Sequence, residues 1–125
     1  MTSRILVVDD SDTLRRAMRD MLEEADLDLT VVEAVDGEEA LPIALSGDVD
    51  MVLSDVVMPN LDGIALLRAI RQEHDVASMP VILVTGHGEI KSAVNAMKIG
   101  AFDYVVKPLD PDEFSLIVNS ALEHS

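Results

Sequence analysis

The chain has 125 residues with no cysteine or tryptophan and only one tyrosine, and its formal net charge at pH 7 is −15. This length predicts one domain with a single core, and the lack of cysteine excludes disulfides, thiolate metal sites and thiol catalysis. The excess of acidic residues argues against direct binding of nucleic acid, because phosphate would be repelled, and suits a protein that binds cations or basic surfaces.

The N-terminus carries no pattern of a secretory signal. Its first apolar run, Ile5 to Val8, begins too early and is too short for one. No apolar run in the sequence approaches membrane-spanning length. We therefore expect a cytoplasmic protein without a membrane segment.

The first third of the chain predicts a strand, a helix and a second strand. Residues 5–8 form a continuous apolar run typical of a strand covered on both faces. Turn and N-cap residues follow at 9–12, and a helical apolar stripe then continues to about Ala25. The apolar and β-branched run from Leu29 to Ala34 predicts the second strand.

A second helix and a third strand follow. Asp36 and Glu39 have the spacing of a capping box, and Pro42 predicts that the helix they open is short or slightly bent. The run from Met51 then ends in a carboxylate at Asp55, and Pro59 prevents the strand from continuing. Asp55 is therefore placed at the carboxyl end of a buried strand.

The rest of the chain continues the alternation. The patterns predict a helix from Ile64 to Arg71, a strand from Pro80 to Thr85, a helix from Ile90 to Lys98 ended by Gly100, a strand from Tyr104 to Val106 and a helix from Pro111 to Leu122. Five strands alternating with five helices predict an α/β fold, in which a parallel sheet is wrapped on both faces. We expect one compact domain over residues 1–125.

Five polar residues lie at the ends of the predicted strands or directly after them: Asp9, Asp10, Asp55, Thr85 and Lys107. Each has an ordinary explanation when taken alone, such as a helix N-terminal acid, a turn residue or a surface lysine. The carboxyl ends of parallel strands meet at one edge, however, which is where ligands bind in such sheets. Three carboxylates there would repel one another, and a hard divalent cation such as Mg²⁺ would relieve the repulsion. A carboxylate nucleophile, a cation and two donors are suited to forming an aspartyl phosphate.

On these residues the whole chain resembles the bacterial two-component response-regulator receiver domain, of the kind found in chemotaxis regulators. Asp9-Asp10, Asp55, Thr85 and Lys107-Pro108 match the family motif in order and spacing. The resemblance implies a flavodoxin-like strand order of 2-1-3-4-5. It also implies that Asp55 accepts a phosphoryl group from a histidine kinase, a histidine phosphotransfer protein or a small donor such as acetyl phosphate. Such a domain is a phosphoacceptor switch that assists its own phosphorylation and slow dephosphorylation, and is not a conventional enzyme.

The resemblance also implies a metal site. Asp10 and Asp55 would bind Mg²⁺, Asp9 would assist through water, and the backbone carbonyl of Val57 would be a further ligand. Mn²⁺ would also fit such a site. Val57 and His87, two residues beyond Asp55 and Thr85, are expected to flank the phosphoryl group and to govern its lifetime.

A switch and its output are implied in the same way. Thr85 and Tyr104 would form the switch pair, and the Lys107-Pro108 peptide bond is expected to be cis. Phosphorylation would change the surface of helix 4, strand 5 and helix 5, which would control an output domain or a downstream protein. A homodimer through this surface is a further expectation, since Lys91 and Lys98 share a helical face. The stretch from Thr85 to Gly88 is most similar to receivers fused to transcriptional activators.

Three other functions compete with this interpretation. A phosphatase of the haloacid dehalogenase type would use Asp10 as nucleophile and Asp12 as acid/base, although the spacing lacks one residue and the chain is short. A flavodoxin-like cofactor module would need a phosphate loop where this chain has acids. A receiver-like docking module that takes no phosphate is the third. Mapping the labelled carboxylate separates the first from a receiver, and the colour of the purified protein tests the second.

Overall fold

The structure, a computed structural model, describes residues 2–25 and 27–124, with His87 and His124 described by their backbone alone. The strands are β1 (Ser3–Val8), β2 (Leu29–Ala34), β3 (Met51–Asp55), β4 (Val81–Thr85) and β5 (Asp103–Val106). The described strands form one parallel sheet in the order β2-β1-β3-β4-β5, which confirms the predicted order. The α-helices are α1 (Asp12–Glu24), α2 (Gly37–Leu45), α3 (Gly63–Gln72), α4 (Ile90–Ile99) and α5 (Pro111–His124). Short 3₁₀ turns span His74–Val76 and His87–Glu89.

The element boundaries depart from the sequence patterns at a few strand ends. The prediction that the fourth strand begins at Pro80 was wrong, since β4 begins at Val81. Pro80 has no N–H for a ladder, and its carbonyl instead accepts a hydrogen bond from the Val52 N–H at 3.0 Å. The first strand begins earlier than predicted, at Ser3, and the fifth begins at Asp103.

Apolar side chains cover both faces of the sheet. The cluster on one face joins strand residues to α2, α3 and α4, and includes Leu6, Val52, Leu83, Leu66, Leu67, Ile70 and Ala96. The cluster on the other face joins the strands to α1 and α5, and includes Ile5, Leu53, Ile82, Met18, Leu22 and Phe114. Because the central strands are buried on both faces, polar side chains that must reach solvent are confined to the strand ends. Within the described residues, none of the helices combines the length and apolar character needed to cross a membrane.

The apolar pattern that predicts α4 does not mark its buried side. Ala93 and Ala96 are fully buried, whereas Val94 and Met97 are 45% and 39% exposed. Small residues let α4 pack closely on the rest of the fold, while Val94 and Met97 face outward and Ile99 packs against the core cluster. The helix ends as predicted, at Gly100, whose φ of 118° lies in the left-handed region that glycine adopts without strain.

Arg71 fastens the end of α3 to the end of α4. Its Nε and Nη2 both donate to the Gly100 carbonyl, at 3.0 and 2.8 Å, and its Nη1 donates to the Met79 carbonyl at 2.7 Å. Burial lowers the pKa of this guanidinium from its ordinary value. The Gly100 carbonyl at the end of α4 and the Met79 carbonyl ahead of β4 thereby find a side-chain donor.

Asp36 caps α2 and also holds the loop that follows β3. Its Oδ1 accepts the Glu39 N–H at 2.9 Å, and its Oδ2 accepts a hydrogen bond from Asn60 Nδ2 at 2.6 Å. These two bonds, that of the Glu39 N–H foremost, lower the pKa of the Asp36 carboxyl from its ordinary 3.8.

The lowered pKa predicts a pH-dependent contribution of Asp36 to stability. Since the folded state favours the carboxylate, the contribution is present above the unfolded pKa and is lost as the pH falls through the lower folded pKa. Asp36→Ala should therefore unfold at lower urea concentration than wild type at neutral pH, and the difference should shrink below pH 3.8. Asp48→Ala, at an exposed loop acid, should unfold like wild type throughout. If the urea midpoints of wild type and Asp36→Ala differed equally at neutral pH and below pH 3.8, this role of the Asp36 carboxylate would be contradicted.

Candidate functional site

Three carboxylates lie together at the carboxyl edge of the sheet. Asp9 directly follows β1, Asp10 is next in the chain, and Asp55 is the last residue of β3. One carboxylate oxygen from each lies within 4.8 Å of the others. Asp9 and Asp55 are buried while Asp10 is exposed, so the group opens to solvent on one side. This is the group of three acids that the strand ends predicted.

The Asp9 carboxylate has an unfavourable environment. The residue is fully buried, its Oδ1 accepts the Ser11 N–H at 2.9 Å, and its Oδ2 is buried without a hydrogen-bond partner. Burial raises the pKa of Asp9, and the Asp55 and Asp10 carboxylates raise it further, against the opposing effects of the Ser11 N–H and Lys107. A buried carboxylate oxygen without a partner is costly, and a cation bound at this group would remove that cost.

Lys107 and Thr85 approach the same edge from the neighbouring strands. Lys107 Nζ lies 3.3 Å from Asp55 Oδ2 and 4.0 Å from Asp9 Oδ2. The backbone N–H of Lys107 donates to the Thr85 carbonyl at 2.8 Å, which fixes the two residues beside each other. The Lys107–Pro108 peptide bond is cis. Thr85 is fully buried, and its Oγ1 donates to the Gly86 carbonyl at 3.1 Å.

Tyr104 lies on β5, next to the strand that ends in Thr85. The register pairs Leu83 with Tyr104 and Thr85 with Val106. Because paired residues and alternate residues share a face, the Tyr104 and Thr85 side chains extend from the same face of the sheet. The Tyr104 side chain is half-buried and packs against the core cluster that includes Leu83.

Val57 and His87 are the two residues expected to govern the lifetime of the phosphoryl group, and the structure describes the side chain of Val57 only. Val57 is two residues beyond Asp55, and it is 57% exposed, so its apolar side chain is largely in solvent. The side chain of His87 lies outside the described residues, and its assignment stays a prediction.

Arg15 is a residue of this site that the sequence analysis missed. Its Nη1 donates to the Asp9 carbonyl at 2.6 Å, and its Nε pairs with Glu33 Oε1 at 3.3 Å, while Nη2 pairs with Asp12. It thereby holds the turn between β1 and α1 that carries Asp9 and Asp10. The spacing of Asp12 and Arg15 indicates a helical pair, but no sequence pattern indicates the contact with the backbone of Asp9.

The arrangement has the parts needed to handle a phosphoryl group. Asp55 offers a carboxylate oxygen at the rim, with an ammonium group beside it and two further carboxylates within reach of a shared cation. The donor set consists of oxygen atoms, which is what Mg²⁺ prefers. Lys107 can interact with an anion as a point charge, and the Thr85 hydroxyl can donate a hydrogen bond.

Comparison with known proteins agrees with this chemistry. A family model described as the response regulator receiver domain matches residues 5–119. The DNA-binding transcriptional regulator NtrC of Salmonella typhimurium is 41% identical over 120 residues, which make up 96% of this chain and 25% of NtrC. The chain thus spans about a quarter of the length of this relative.

Solved structures of the same kind superpose over almost the whole chain. A response regulator receiver domain protein from Clostridium thermocellum is 35% identical with a TM-score of 0.88, and the match covers 98% of this chain and 95% of that one. The receiver domain of NtrX from Brucella abortus is 34% identical with a TM-score of 0.86, covering 97% and 99% of the two chains. With this fold, this acidic group and these relatives, the chain belongs to the response regulator receiver domain family, whose members are regulatory phosphoacceptor domains.

Proposed function

We propose that Asp55 is the phosphoacceptor of a Mg²⁺-dependent signalling switch. The observation that supports this most directly is the position of Asp55 Oδ2, which lies 3.3 Å from Lys107 Nζ and within the group of three carboxylates. The matched family model supports the same assignment. An aspartate in this position has a nucleophilic oxygen, a cation-binding neighbourhood and a positively charged side chain next to the incoming oxygens.

The proposed reaction is a phosphoryl transfer. A carboxylate oxygen of Asp55 forms a bond to phosphorus, while the bond from phosphorus to the donor's imidazole nitrogen, or to the acetate oxygen of acetyl phosphate, breaks. The leaving imidazole or acetate keeps the electron pair of the broken bond, and the imidazole takes up a proton. Lys107 and the Thr85 hydroxyl then stabilise the negative oxygens of the acyl phosphate. Hydrolysis of the acyl phosphate by water resets the switch.

The metal would be held by Asp10 and Asp55, with Asp9 through water and the backbone carbonyl of Val57 as further ligands. The donor set and the buried, unpartnered Asp9 Oδ2 fit a hard divalent cation. When bound, Mg²⁺ or Mn²⁺ neutralises the carboxylates and the phosphoryl oxygens during transfer. The chain itself positions Asp9, whose carboxylate accepts the Ser11 N–H and whose backbone carbonyl accepts a hydrogen bond from Arg15.

The switch itself is a hydrogen-bond rearrangement between β4 and β5. A new dianionic group on Asp55 draws Thr85 and Lys107 toward itself, and Thr85 then gives up its bond to the Gly86 carbonyl. The Tyr104 ring, on the same face of the sheet, turns into the space that Thr85 leaves. The surface of α4, β5 and α5 changes as a result. A difference of a few kcal/mol between the two states is enough for phosphorylation to shift the population.

The partners follow from this role. The phosphoryl group would come from a histidine kinase or a histidine phosphotransfer protein, and the changed surface would act on an output domain or a downstream protein in the cytoplasm. A homodimer through α4, β5 and α5 would use the outward-facing Val94 and Met97 together with Lys91 and Lys98. NtrC is described as DNA-binding, but this chain matches only 25% of it, and its own charge of −15 still argues against direct contact with nucleic acid.

Site mapping tests the proposed phosphoacceptor. The protein is incubated with acetyl phosphate and Mg²⁺, the acyl phosphate is reduced with borohydride, and the modified residue is located by peptide mass spectrometry. We expect the modification on Asp55. Modification of Asp10 would instead support the haloacid dehalogenase interpretation, and a protein that takes up no phosphoryl group would be a receiver-like docking module.

Removal of the Asp10 carboxylate should greatly reduce the stabilisation of the fold by Mg²⁺. We expect Mg²⁺ to raise the melting temperature of the wild type, because binding relieves the repulsion among Asp9, Asp10 and Asp55. At about 100 times the Kd, the stabilisation should be about 2.7 kcal/mol. Asp10→Asn should lose most of this shift, whereas Asp20→Asn, which removes an exposed acid of α1, should keep it. Equal shifts in both variants would show that Mg²⁺ acts elsewhere.

A further inference from the structure

The exposed face of α2 forms an apolar groove with the loop that follows β3. The groove has a volume of about 590 Å³ and is lined by Glu38, Leu41, Pro42, Leu45, Asn60 and Leu61. The α2 residues among these are spaced i, i+3, i+4 and i+7, so they form one face of the helix. This is the spacing at which one helix presents a ridge to another.

Acidic side chains lie at one end of this groove. An adjoining hollow of about 340 Å³ shares Glu38 and Asn60 with the groove and adds Asp36 and Glu39. Asp36 is occupied by its bonds to the Glu39 N–H and to Asn60. Glu38 and Glu39 are exposed, and neither forms an ion pair with another described residue. The apolar groove therefore ends in two negative charges that are not neutralised.

We propose that this groove binds a basic amphipathic helix of a partner protein. Leucine-like side chains of that helix would enter between Leu41, Leu45 and Leu61, while a lysine or arginine would reach Glu38 and Glu39. The volume suits one or two such anchoring side chains. A second copy of this chain is a poorer occupant, because Glu38 and Glu39 favour a basic partner whereas this chain carries 24 acidic and only 9 basic residues. The homodimer surface proposed above differs in having Lys91 and Lys98 on it.

The groove is preorganised and separate from the switch surface. The Gly37 N–H donates to the Leu61 carbonyl at 3.0 Å, and Asn60 bonds to Asp36, so α2 and the loop hold each other in place. Preorganisation of this kind lowers the cost of binding. Since α2 and α4 each pack on α3, a helix bound on α2 leaves the outer face of α4 free.

The probe is a synthetic helix-forming peptide with leucines at i, i+3 and i+7 and lysines beside them, titrated by calorimetry into the whole chain. We expect Pro42→Lys to weaken binding about tenfold, because it places a positive charge in the apolar groove. Lysine also suits a helix better than proline, so folding is not at risk. Glu38→Lys should weaken binding about threefold, as expected for loss of a rim charge.

Two control variants make the same changes of charge at positions outside the groove. Leu116→Lys alters an α5 side chain that is 70% exposed, and Glu23→Lys reverses an exposed acid of α1. Both should bind the peptide like wild type, and a peptide with glutamates in place of lysines should not bind. Equal weakening in the controls, or binding of the glutamate peptide, would overturn the proposal. A wild-type dimer in sedimentation that Pro42→Lys dissociates would show that a second copy occupies the groove.

Discussion

Asp55→Asn should reduce the uptake of phosphoryl groups from acetyl phosphate to background. An amide oxygen is a poor nucleophile, and the Asp55 carboxylate lies nearer to Lys107 Nζ, at 3.3 Å, than that of Asp9, at 4.0 Å. The same variant should abolish the change in Tyr104 fluorescence that the phosphoryl mimic beryllofluoride causes in the wild type. Because the chain has one tyrosine and no tryptophan, its intrinsic fluorescence reports on this residue alone. Beryllofluoride with Mg²⁺ should therefore change the fluorescence of the wild type and leave that of Asp55→Asn unchanged.

A charge-matched variant separates this effect from a general loss of negative charge. Asp20→Asn, on the exposed side of α1, should take up phosphoryl groups and respond to beryllofluoride like the wild type. The fold of Asp55→Asn should be intact, since the change removes one of the carboxylates that raise the pKa of Asp9. Undiminished uptake by a folded Asp55→Asn protein would disprove the assignment of the phosphoacceptor.

Gly63→Ala should destabilise the domain and disturb the site together. A Cβ at this first residue of α3 would collide with the carbonyl oxygen of Asp55 and would lie 3.2 Å from Ser54 Oγ. A backbone carbonyl cannot rotate away as a side chain can, so either α3 or the end of β3 must shift. Overpacking of this kind costs about 1–3 kcal/mol, whereas replacing glycine by alanine gains at most about 1 kcal/mol of helix propensity, and less at the first helical residue than in the interior. We expect a lower urea midpoint and slower phosphoryl uptake.

Gly88→Ala is the control for this prediction. Gly88 lies in the 3₁₀ turn that precedes α4, and a Cβ there would have no atom within 4 Å. The variant should unfold at the wild-type urea concentration and should take up phosphoryl groups at the wild-type rate. If Gly63→Ala were as stable and as active as Gly88→Ala, α3 would be able to move without displacing Asp55.

The sheet and the residues at its edge could be predicted because they depend on local patterns. A run that is apolar on both faces indicates a buried parallel strand, and the strand end then determines the edge at which Asp9, Asp55 and Lys107 lie. The cap of α2 by Asp36 and the end of α4 at Gly100 were predictable for the same reason, since both depend on residues near in sequence.

The contacts that the sequence did not indicate join residues far apart in the chain or depend on packing. Arg71 reaches the Gly100 carbonyl and Arg15 pairs with Glu33, and neither pairing has a periodic signature. The outward orientation of Val94 and Met97 depends on how closely the alanines of α4 approach α3 and the sheet, which hydrophobicity alone does not specify. The groove on α2 likewise exists only once the loop after β3 is folded against it.

The attachment of α4 at one end has a mechanical consequence. Arg71 fixes its C-terminal end through the Gly100 carbonyl, whereas Glu89 at its N-terminal end makes no side-chain capping bond. α4 has 10 residues and is about 15 Å long. A small rotation about its fixed end at Gly100 therefore displaces the opposite end of the helix the most. The N-terminal end, which lacks a side-chain bond of this kind, is joined to Thr85 through the turn at 86–89. If phosphorylation draws Thr85 toward Asp55, we therefore expect the N-terminal half of α4, including Val94, to shift more than the end held by Arg71.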